Sequence, residues 1–253
     1  MPAARPPLSL APYRHVLLDM NGTFVLDFDR FGPGADFAAT YARLGYASLA
    51  PAAAQRAVRR AYDYLAARYV DPAWFDRFPT VAEALAATRR EAYPAGVRDE
   101  LVATFAEHEL GHVPPAHRAA LGRLAARRPV SVLSNLWAPS ARWRRAFADW
   151  GIAAHFAHLL FTSEIAGAGP AHAPGTLIKP HPALFAEAAR RLGLPPEHIL
   201  YVGDNYRRDV LGATEAGLAA AWVHPDAATA EGPHVAAAAD LPALVGQLRE
   251  GGP

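Results

Sequence analysis

The chain has 253 residues, of which 52% are hydrophobic, so it can build a sizeable core, with or without an inserted domain. Its net charge of +1, with the charges mixed along the chain, argues against a nucleic-acid partner. The absence of cysteine excludes disulfides, thiolate metal sites and a cysteine nucleophile. We find no signal-peptide pattern and no run approaching the ~20 apolar residues of a membrane helix, so we expect a cytoplasmic protein with no membrane partner.

The first part of the chain predicts one strand followed by helices. The apolar run at 15–19 ends abruptly in Asn-Gly, as a buried strand followed by a loop does. Between about 31 and 112 we find no strand pattern. The sequence predicts three helices here: one at Pro51–Val70, one that begins after a capping box formed by Thr80 and Glu83, and one at Val97–Leu110.

From residue 114 onward the pattern alternates between strands and helices. The predicted strands are Val130–Leu133, His158–Thr162, Ile199–Val202 and Ala219–Val223. The predicted helices are His117–Ala126, Ser140–Trp150, Pro182–Leu192, Asp209–Ala216 and Leu241–Leu248. Apolar strands that alternate with helices indicate an α/β fold with a doubly wound parallel sheet. We therefore predict a core made of 1–28 and 114–253, interrupted by an all-helical domain at 29–113.

Polar residues stand at the carboxyl ends of the predicted strands, where open parallel sheets bind ligands. Asp19 follows the first strand in VLLDMNGT, Ser134 ends the second in SVLSN, and Asp204 follows a later strand in YVGDNYRRD. Lys179 lies just before a helix in IKPHPALF. Each of these residues by itself is typical of a turn, a cap or a solvated charge. All four in order, around matching strand ends, indicate one functional site.

These residue types suit phosphoryl transfer. The negative charge of a phosphate ester must be offset before a carboxylate attacks it, and Mg²⁺ held by carboxylate oxygens can offset it. The candidate carboxylates are Asp19, Asp204 and Asp209; the candidate donors are Ser134, Gly22 and Thr23; the fixed cation is Lys179. Because carboxylates form aspartyl-phosphates in ATPases, Asp19 is the candidate nucleophile.

With these motifs in this order, the chain resembles the haloacid dehalogenase-like (HAD) hydrolase superfamily. DMNGT is similar to the first family motif, usually Asp-x-Asp-Gly-Thr, and LSN is similar to the second. Lys179 matches the third motif, and GDNYRRDVLGATEAGL is close to the fourth. The resemblance covers the whole predicted core. It implies a Rossmann-like sheet with a helical cap inserted after the first motif.

The resemblance also implies roles for the site residues. Asp19 would be the nucleophile, acting on a small phosphorylated metabolite. The implied contacts to the phosphate are Ser134, Lys179, Asn135, Gly22 and Thr23. The implied ligands of Mg²⁺ are Asp19, Asp204, Asp209 and the main-chain carbonyl of Asn21. Substrate choice would lie with the cap, and the oligomeric state stays open.

Asn21 departs from the family pattern. The family's phosphatases usually carry Asp there, which protonates the leaving oxygen and then activates water. An amide can do neither, and losing acid–base help costs about 10²–10⁴-fold in rate. Three interpretations are open: a phosphatase that is slow or needs good leaving groups, a 2-haloacid dehalogenase, and a dormant protein that binds a phospho-ligand. We favour the first, because a dehalogenase needs no Mg²⁺ and yet Asp204 and Asp209 are present.

A competing motif lies at His108, Glu109 and His112, which match the zinc-protease pattern H-E-x-x-H. On a helix both histidines could bind Zn²⁺, with Glu109 as general base. Pro114 and Pro115 are expected to end this helix at once, and no third ligand is evident. We rank the zinc interpretation last. The sequence also has no phosphate-binding loop, dinucleotide fingerprint or serine-hydrolase elbow.

Overall fold

In the computed structural model, residues 8–167, 175–227 and 231–248 are described. Their strands form one parallel sheet in the order β3-β2-β1-β4-β5-β6. The strands are β1 (His15–Leu18), β2 (Val130–Ser134), β3 (Phe156–Phe161), β4 (Ile199–Gly203), β5 (Ala219–Val223) and β6 (Ala236–Ala238). The predicted doubly wound α/β fold is confirmed. Because β1 pairs with both β2 and β4, the strand order reverses at β1, and this is where such sheets bind ligands.

Helices cover both faces of the sheet, so the strands are buried on both sides and are apolar. Val16 and Leu18 of β1 belong to one hydrophobic cluster and Leu17 to another, as the two-residue period of a strand requires. The helices from residue 115 onward are α5 (Pro115–Ala125), α6 (Ala141–Asp149), α7 (Pro182–Leu192), α8 (Gly212–Glu215) and α9 (Leu241–Gly246). No helix in the described ranges is long and apolar enough to cross a membrane.

Two elements of the sheet region differ from the sequence prediction. β6 consists of three alanines, which carry no strand signal, so the pattern does not predict it. The helix expected from Asp209 begins three residues earlier, as a π-helical turn at Tyr206–Leu211 that leads into α8. The Asn205 side chain caps this turn by accepting a hydrogen bond from the Arg208 N–H. Such π turns are frequent at functional sites.

The segment between β1 and β2 is helical. Besides α5, its helices are α1 (Phe37–Arg43), α2 (Pro51–Tyr69), α3 (Val81–Ala87) and α4 (Ala95–Glu109), and their buried side chains form a second cluster that Ala138 and Ile178 join. The predicted helices at 51–70 and 97–110 are confirmed to within two residues, and so is the capping box of Thr80 and Glu83. α1 is an addition to the prediction.

The chain leaves the sheet region and returns to it at one point. Leu26 and His112 form an antiparallel bridge, with both N–H···O distances at 2.9 Å. The helical segment therefore begins and ends beside the carboxyl end of β1. Its treatment as a separate cap domain at 29–113 stays a prediction.

Candidate active site

A cavity of about 220 Å³ lies at the carboxyl ends of the central strands. Seven of the predicted site residues line it: Asp19, Asn21, Ser134, Asn135, Lys179, Asp204 and Asp209. The predicted donors Gly22 and Thr23 are not among its lining residues. The structure thus brings together side chains that are separated by up to 190 residues, because the strands that carry them are neighbours in the sheet.

Asp19 is buried and held in one orientation. Its backbone N–H donates to Val202 O at 2.8 Å, which continues the pairing of β1 with β4. Its Oδ1 accepts a hydrogen bond from Ser134 Oγ at 2.7 Å and lies 2.7 Å from Lys179 Nζ. A carboxylate fixed in this way is pre-oriented toward the cavity that it lines.

Lys179 is the cation of the site. Its Nζ lies 2.7 Å from Asp19 Oδ1 and 2.6 Å from Asp209 Oδ1, and it donates to Tyr201 Oη at 2.9 Å. Burial by itself would lower the pKa of Lys179, but the two carboxylates outweigh burial and raise the pKa above its usual value. The side chain is therefore a buried ammonium ion at neutral pH.

A third carboxyl group, that of Asp204, lies beside the two that pair with Lys179. Asp19, Asp204 and Asp209 each offer an oxygen atom, and these atoms lie within 4.8 Å of one another. Burial, followed by the charges of Asp19 and Asp209, raises the pKa of Asp204 to about 8, and burial also raises the pKa of Asp209. A hard divalent cation such as Mg²⁺ prefers oxygen ligands and would relieve the mutual repulsion of these carboxyl groups, so the donor set fits Mg²⁺.

Asp209 is fixed from two further directions. Its Oδ2 accepts the N–H of Asn205 at 2.9 Å, and its Oδ1 lies 3.1 Å from Tyr201 Oη. Burial first, and then the Asp209 charge, raise the pKa of Tyr201 well above its usual value, so Tyr201 stays a neutral phenol. The sequence analysis did not single out Tyr201. Its position two residues before Gly203 at the end of β4 is the only local signal for it.

The loop after Asp19 winds around one carbonyl group. The N–H groups of residues 23 to 25 all point to Met20 O, at 3.0–3.2 Å. Gly22 has φ +82°, and a Cβ atom there would collide with the Asp204 carboxylate. Glycine is therefore needed at this position for both its conformation and its size. Asn21 Oδ1 and Thr23 Oγ1 are buried and find no hydrogen-bond partner in the ranges that the structure describes.

Asn135 and Arg208 connect the site to the end of α2. Asn135 Oδ1 accepts the Lys179 N–H at 2.9 Å, and its Nδ2 donates to Tyr69 Oη at 3.0 Å. Arg208 donates to the carbonyl oxygens of Lys179 and Tyr69 at 2.9 and 2.7 Å, with its guanidinium 3.7 Å from the centre of the Tyr69 ring. The helical segment is thereby tied to the loops that carry the site.

The remaining wall of the cavity is formed by Phe28, Asp29, Glu109 and Trp137. Glu109 accepts the backbone N–H groups of Trp137 at 2.9 Å and Ala138 at 3.1 Å. Burial raises the pKa of Glu109 to about 8, although the two N–H groups act in the opposite direction. Burial in this wall therefore favours the protonated form of Glu109.

The family follows from this chain's match to known proteins. The model of the haloacid dehalogenase-like hydrolase family matches residues 13–217. The chain belongs to this family of HAD hydrolases. The match runs from before β1 to just past α8, without β5 and β6, and it includes the helical segment and all the predicted site residues.

The individual relatives of this HAD hydrolase match it either over a short segment or at low sequence identity. The glyceraldehyde 3-phosphate phosphatase of Methanopyrus kandleri is 44% identical over 64 residues, which are 25% of this chain and 24% of the relative. The chain thus spans about a quarter of the length of such curated relatives. A 2-haloacid dehalogenase from Pseudomonas syringae superposes with a TM-score of 0.62 at 20% identity, over 93% of this chain and 97% of that one. A HAD phosphatase from Thermococcus onnurineus superposes with a TM-score of 0.57 at 19% identity, over 90% of this chain and 94% of that one.

The zinc-protease pattern does not form a metal site in this HAD hydrolase. His108 Nδ1 lies 2.9 Å from Arg30 O and its Nε2 lies 2.9 Å from Thr40 Oγ1, so both ring nitrogens are engaged. α4 ends at Glu109, and His112 lies beyond it on the returning chain. The two histidines therefore do not share a helix face.

The expectation that Pro114 and Pro115 end this helix is also wrong. The helix ends five residues earlier, where Leu110 is extended and the chain turns back to pair with Leu26. Pro115 instead occupies the first turn of α5, a position that tolerates proline because its missing N–H would have no partner there.

Proposed function

We propose that this HAD hydrolase is a Mg²⁺-dependent phosphatase that acts on small phosphorylated metabolites through an aspartyl-phosphate on Asp19. The cluster of Asp19, Asp204 and Asp209, two of which pair with Lys179, carries the proposal. Dehalogenation needs a nucleophilic carboxylate but no such cluster of three carboxyl groups. The relative from Methanopyrus kandleri, which is named a phosphatase, supports the same choice.

The proposed metal ligands are the three carboxylates and the main-chain carbonyl of Asn21. A bound Mg²⁺ would offset the negative charge of the phosphoryl group. Asp19 would attack phosphorus, with Ser134 and Lys179 orienting its carboxylate and donating to phosphoryl oxygens. Asn135 would hold the loop of Lys179 in place and donate to the phosphate.

We further propose that residues 29–113 act as a cap that selects the substrate. Tyr69 at the end of α2 and Glu109 at the end of α4 line the cavity opposite the sheet. The cavity of about 220 Å³ has room for a small metabolite. The hydrogen bonds of Arg208 and Asn135 to Tyr69 would hold the cap over the site and keep water out.

The proposal is tested with a panel of small phosphate monoesters and 2-haloacids, each assayed with Mg²⁺ and with a chelator. We expect phosphate release that depends on Mg²⁺ and no halide release. Halide release in the presence of the chelator would identify a dehalogenase. Binding of inorganic phosphate without turnover of any compound would identify a dormant protein.

Gly22→Ala is expected to lower the affinity for Mg²⁺ and the phosphatase rate by at least about tenfold. The new Cβ atom would push the Asp204 carboxylate out of the cluster. Gly45→Ala is the matched control, because Gly45 has φ +81° but no atom within 4 Å of the new Cβ position. The free energy of unfolding should fall by about 1–2 kcal/mol in both variants, because alanine at a positive φ strains the backbone. Isothermal titration with Mg²⁺ separates them, and equal affinities would contradict the role of Gly22.

A further inference from the structure

The proposed reaction needs a proton donor that Asn21 cannot supply. The leaving alkoxide must gain a proton, and the water that later attacks the aspartyl-phosphate must lose one. Besides the three clustered carboxylates, two carboxyl groups line the cavity, those of Asp29 and Glu109. Asp29 is exposed on the chain that follows β1, whereas Glu109 is buried.

We propose that Glu109 is the general acid and general base of this site and takes the place of the missing carboxyl group at Asn21. This inference rests on the proposed phosphatase function. It assigns a catalytic role to a residue of the helical segment, contributed by the last residue of α4.

The geometry holds Glu109 in a fixed position in the cavity wall. Its two carboxyl oxygens accept the N–H groups of Trp137 and Ala138, at 2.9 and 3.1 Å. These N–H groups belong to the loop that follows Ser134 at the end of β2. No cation forms an ion pair with Glu109 within the described ranges. A buried carboxyl group without a cation is costly for stability, so its presence in an active-site wall calls for a function.

The surroundings of Glu109 favour its protonated form. Burial is the main cause, and the negative charge of Asp29 adds to it. On its own helix, His108 is bonded away from the cavity, to Arg30 O and Thr40 Oγ1. The titratable and charged groups that face the same cavity from the sheet side are Asp19, Asp204, Asp209, Lys179 and Arg208.

Glu109 would then carry out both proton transfers of the reaction. As Asp19 attacks phosphorus and the bond to the leaving oxygen breaks, the protonated Glu109 gives its proton to that oxygen, and an alcohol leaves. The resulting Glu109 carboxylate takes a proton from water as the water oxygen attacks the aspartyl-phosphate. Inorganic phosphate departs, Asp19 is again a carboxylate, and Glu109 is again protonated.

The test compares two substrates with Mg²⁺ present. An alkyl phosphate monoester needs a protonated leaving group, whereas a nitrophenyl phosphate does not. We expect Glu109→Gln to lower kcat by about 10²–10⁴-fold on the alkyl ester and by less than tenfold on the aryl ester. Asn21→Asp, added to Glu109→Gln, should restore much of the alkyl activity. Asp29→Asn tests the other carboxyl group of the wall, and it should lower the alkyl activity far less than Glu109→Gln does.

The possible outcomes separate the two proposals. An equal loss on both esters, or a selective loss in Asp29→Asn, would overturn the acid–base role of Glu109. In the first case Glu109 would only position the loop at 137–138, and the phosphatase function would stand. If the wild type hydrolyses neither ester, the phosphatase function fails and the role of Glu109 fails with it.

A stability measurement gives a second readout that needs no activity. Glu109 keeps its proton in the fold up to pH about 8, whereas its usual pKa of 4.5 holds in the unfolded chain. Between these two values the unfolded chain binds fewer protons, so the wild type loses stability as pH rises. Glu109→Gln should be free of this loss, and its stability relative to the wild type should increase from pH 4.5 to about 8. Parallel urea curves at all pH values would overturn the protonated state.

Discussion

Asp19→Asn is expected to lower the hydrolysis of phosphate monoesters by about 10⁴-fold or more, because the amide cannot form the covalent intermediate. The two residues have nearly the same size, so the packing around β1 should be kept. The amide nitrogen could not accept the hydrogen bonds that Oδ1 now receives from Ser134 and Lys179, but the amide oxygen could. The loss of activity should therefore far exceed the loss of stability. The measurement is kcat on a nitrophenyl phosphate with saturating Mg²⁺.

Trapping of the intermediate distinguishes this explanation from weaker metal binding. Acid quenching of the wild type during turnover should leave phosphate attached to the peptide that contains Asp19. The variant should carry none, even at Mg²⁺ concentrations that restore binding. Asp99→Asn is a suitable control, because the Asp99 side chain is 68% exposed and remote from the cavity. Phosphate trapped at another residue would show that Asp19 is not the nucleophile.

The sequence predicts the site well wherever strand order decides the geometry. Asp19, Ser134 and Asp204 each stand at the carboxyl end of a strand, and parallel neighbours bring those ends to one edge of the sheet. The apolar composition of β1, β2 and β4 indicates that these strands are buried on both faces. Hence the fold and the central residues follow from local patterns and one topological rule.

The contacts between the helical segment and the sheet could not be predicted in this way. Arg208 and Tyr69 are 139 residues apart, and neither has a neighbour in the sequence that signals their contact. The same holds for Glu109, whose place in the cavity wall depends on where α4 ends and where the chain turns back to Leu26. The pattern H-E-x-x-H draws attention to Glu109 for a chemistry that the fold does not support.

Lys179→Met is expected to reduce both stability and activity. The substitution leaves the buried carboxylates of Asp19 and Asp209 without their ammonium ion, and breaking a buried ion pair from one side costs about 3–5 kcal/mol. The pKa of Lys179 is raised in the fold, so its contribution is complete at neutral pH and is lost only above the usual lysine pKa of about 10.4. The lysine itself does not titrate between pH 6 and pH 8, so any change in the stability difference over this range comes from the carboxyl groups that it leaves behind. Urea unfolding without Mg²⁺ measures it.

Mg²⁺ should restore part of this stability, because a divalent cation among Asp19, Asp204 and Asp209 offsets the same negative charge. Phosphatase activity should stay about 10²–10³-fold below that of the wild type even so, because the ammonium donor to the phosphoryl group is gone. If Mg²⁺ stabilises the wild type as strongly as the variant, the cation and the lysine do not share the cluster.

Lys179→Arg separates charge from shape at this position. Lys179 is the sole lysine of the chain, while the other 24 of its 25 basic residues are arginines. A compact ammonium can lie within 2.7 Å of both Asp19 and Asp209 in a buried space, whereas a planar guanidinium needs more room. We expect Lys179→Arg to keep more stability than Lys179→Met but to regain little activity. Equal activity of Lys179→Arg and the wild type would show that charge by itself suffices. In that case the preference for lysine here would have no catalytic explanation.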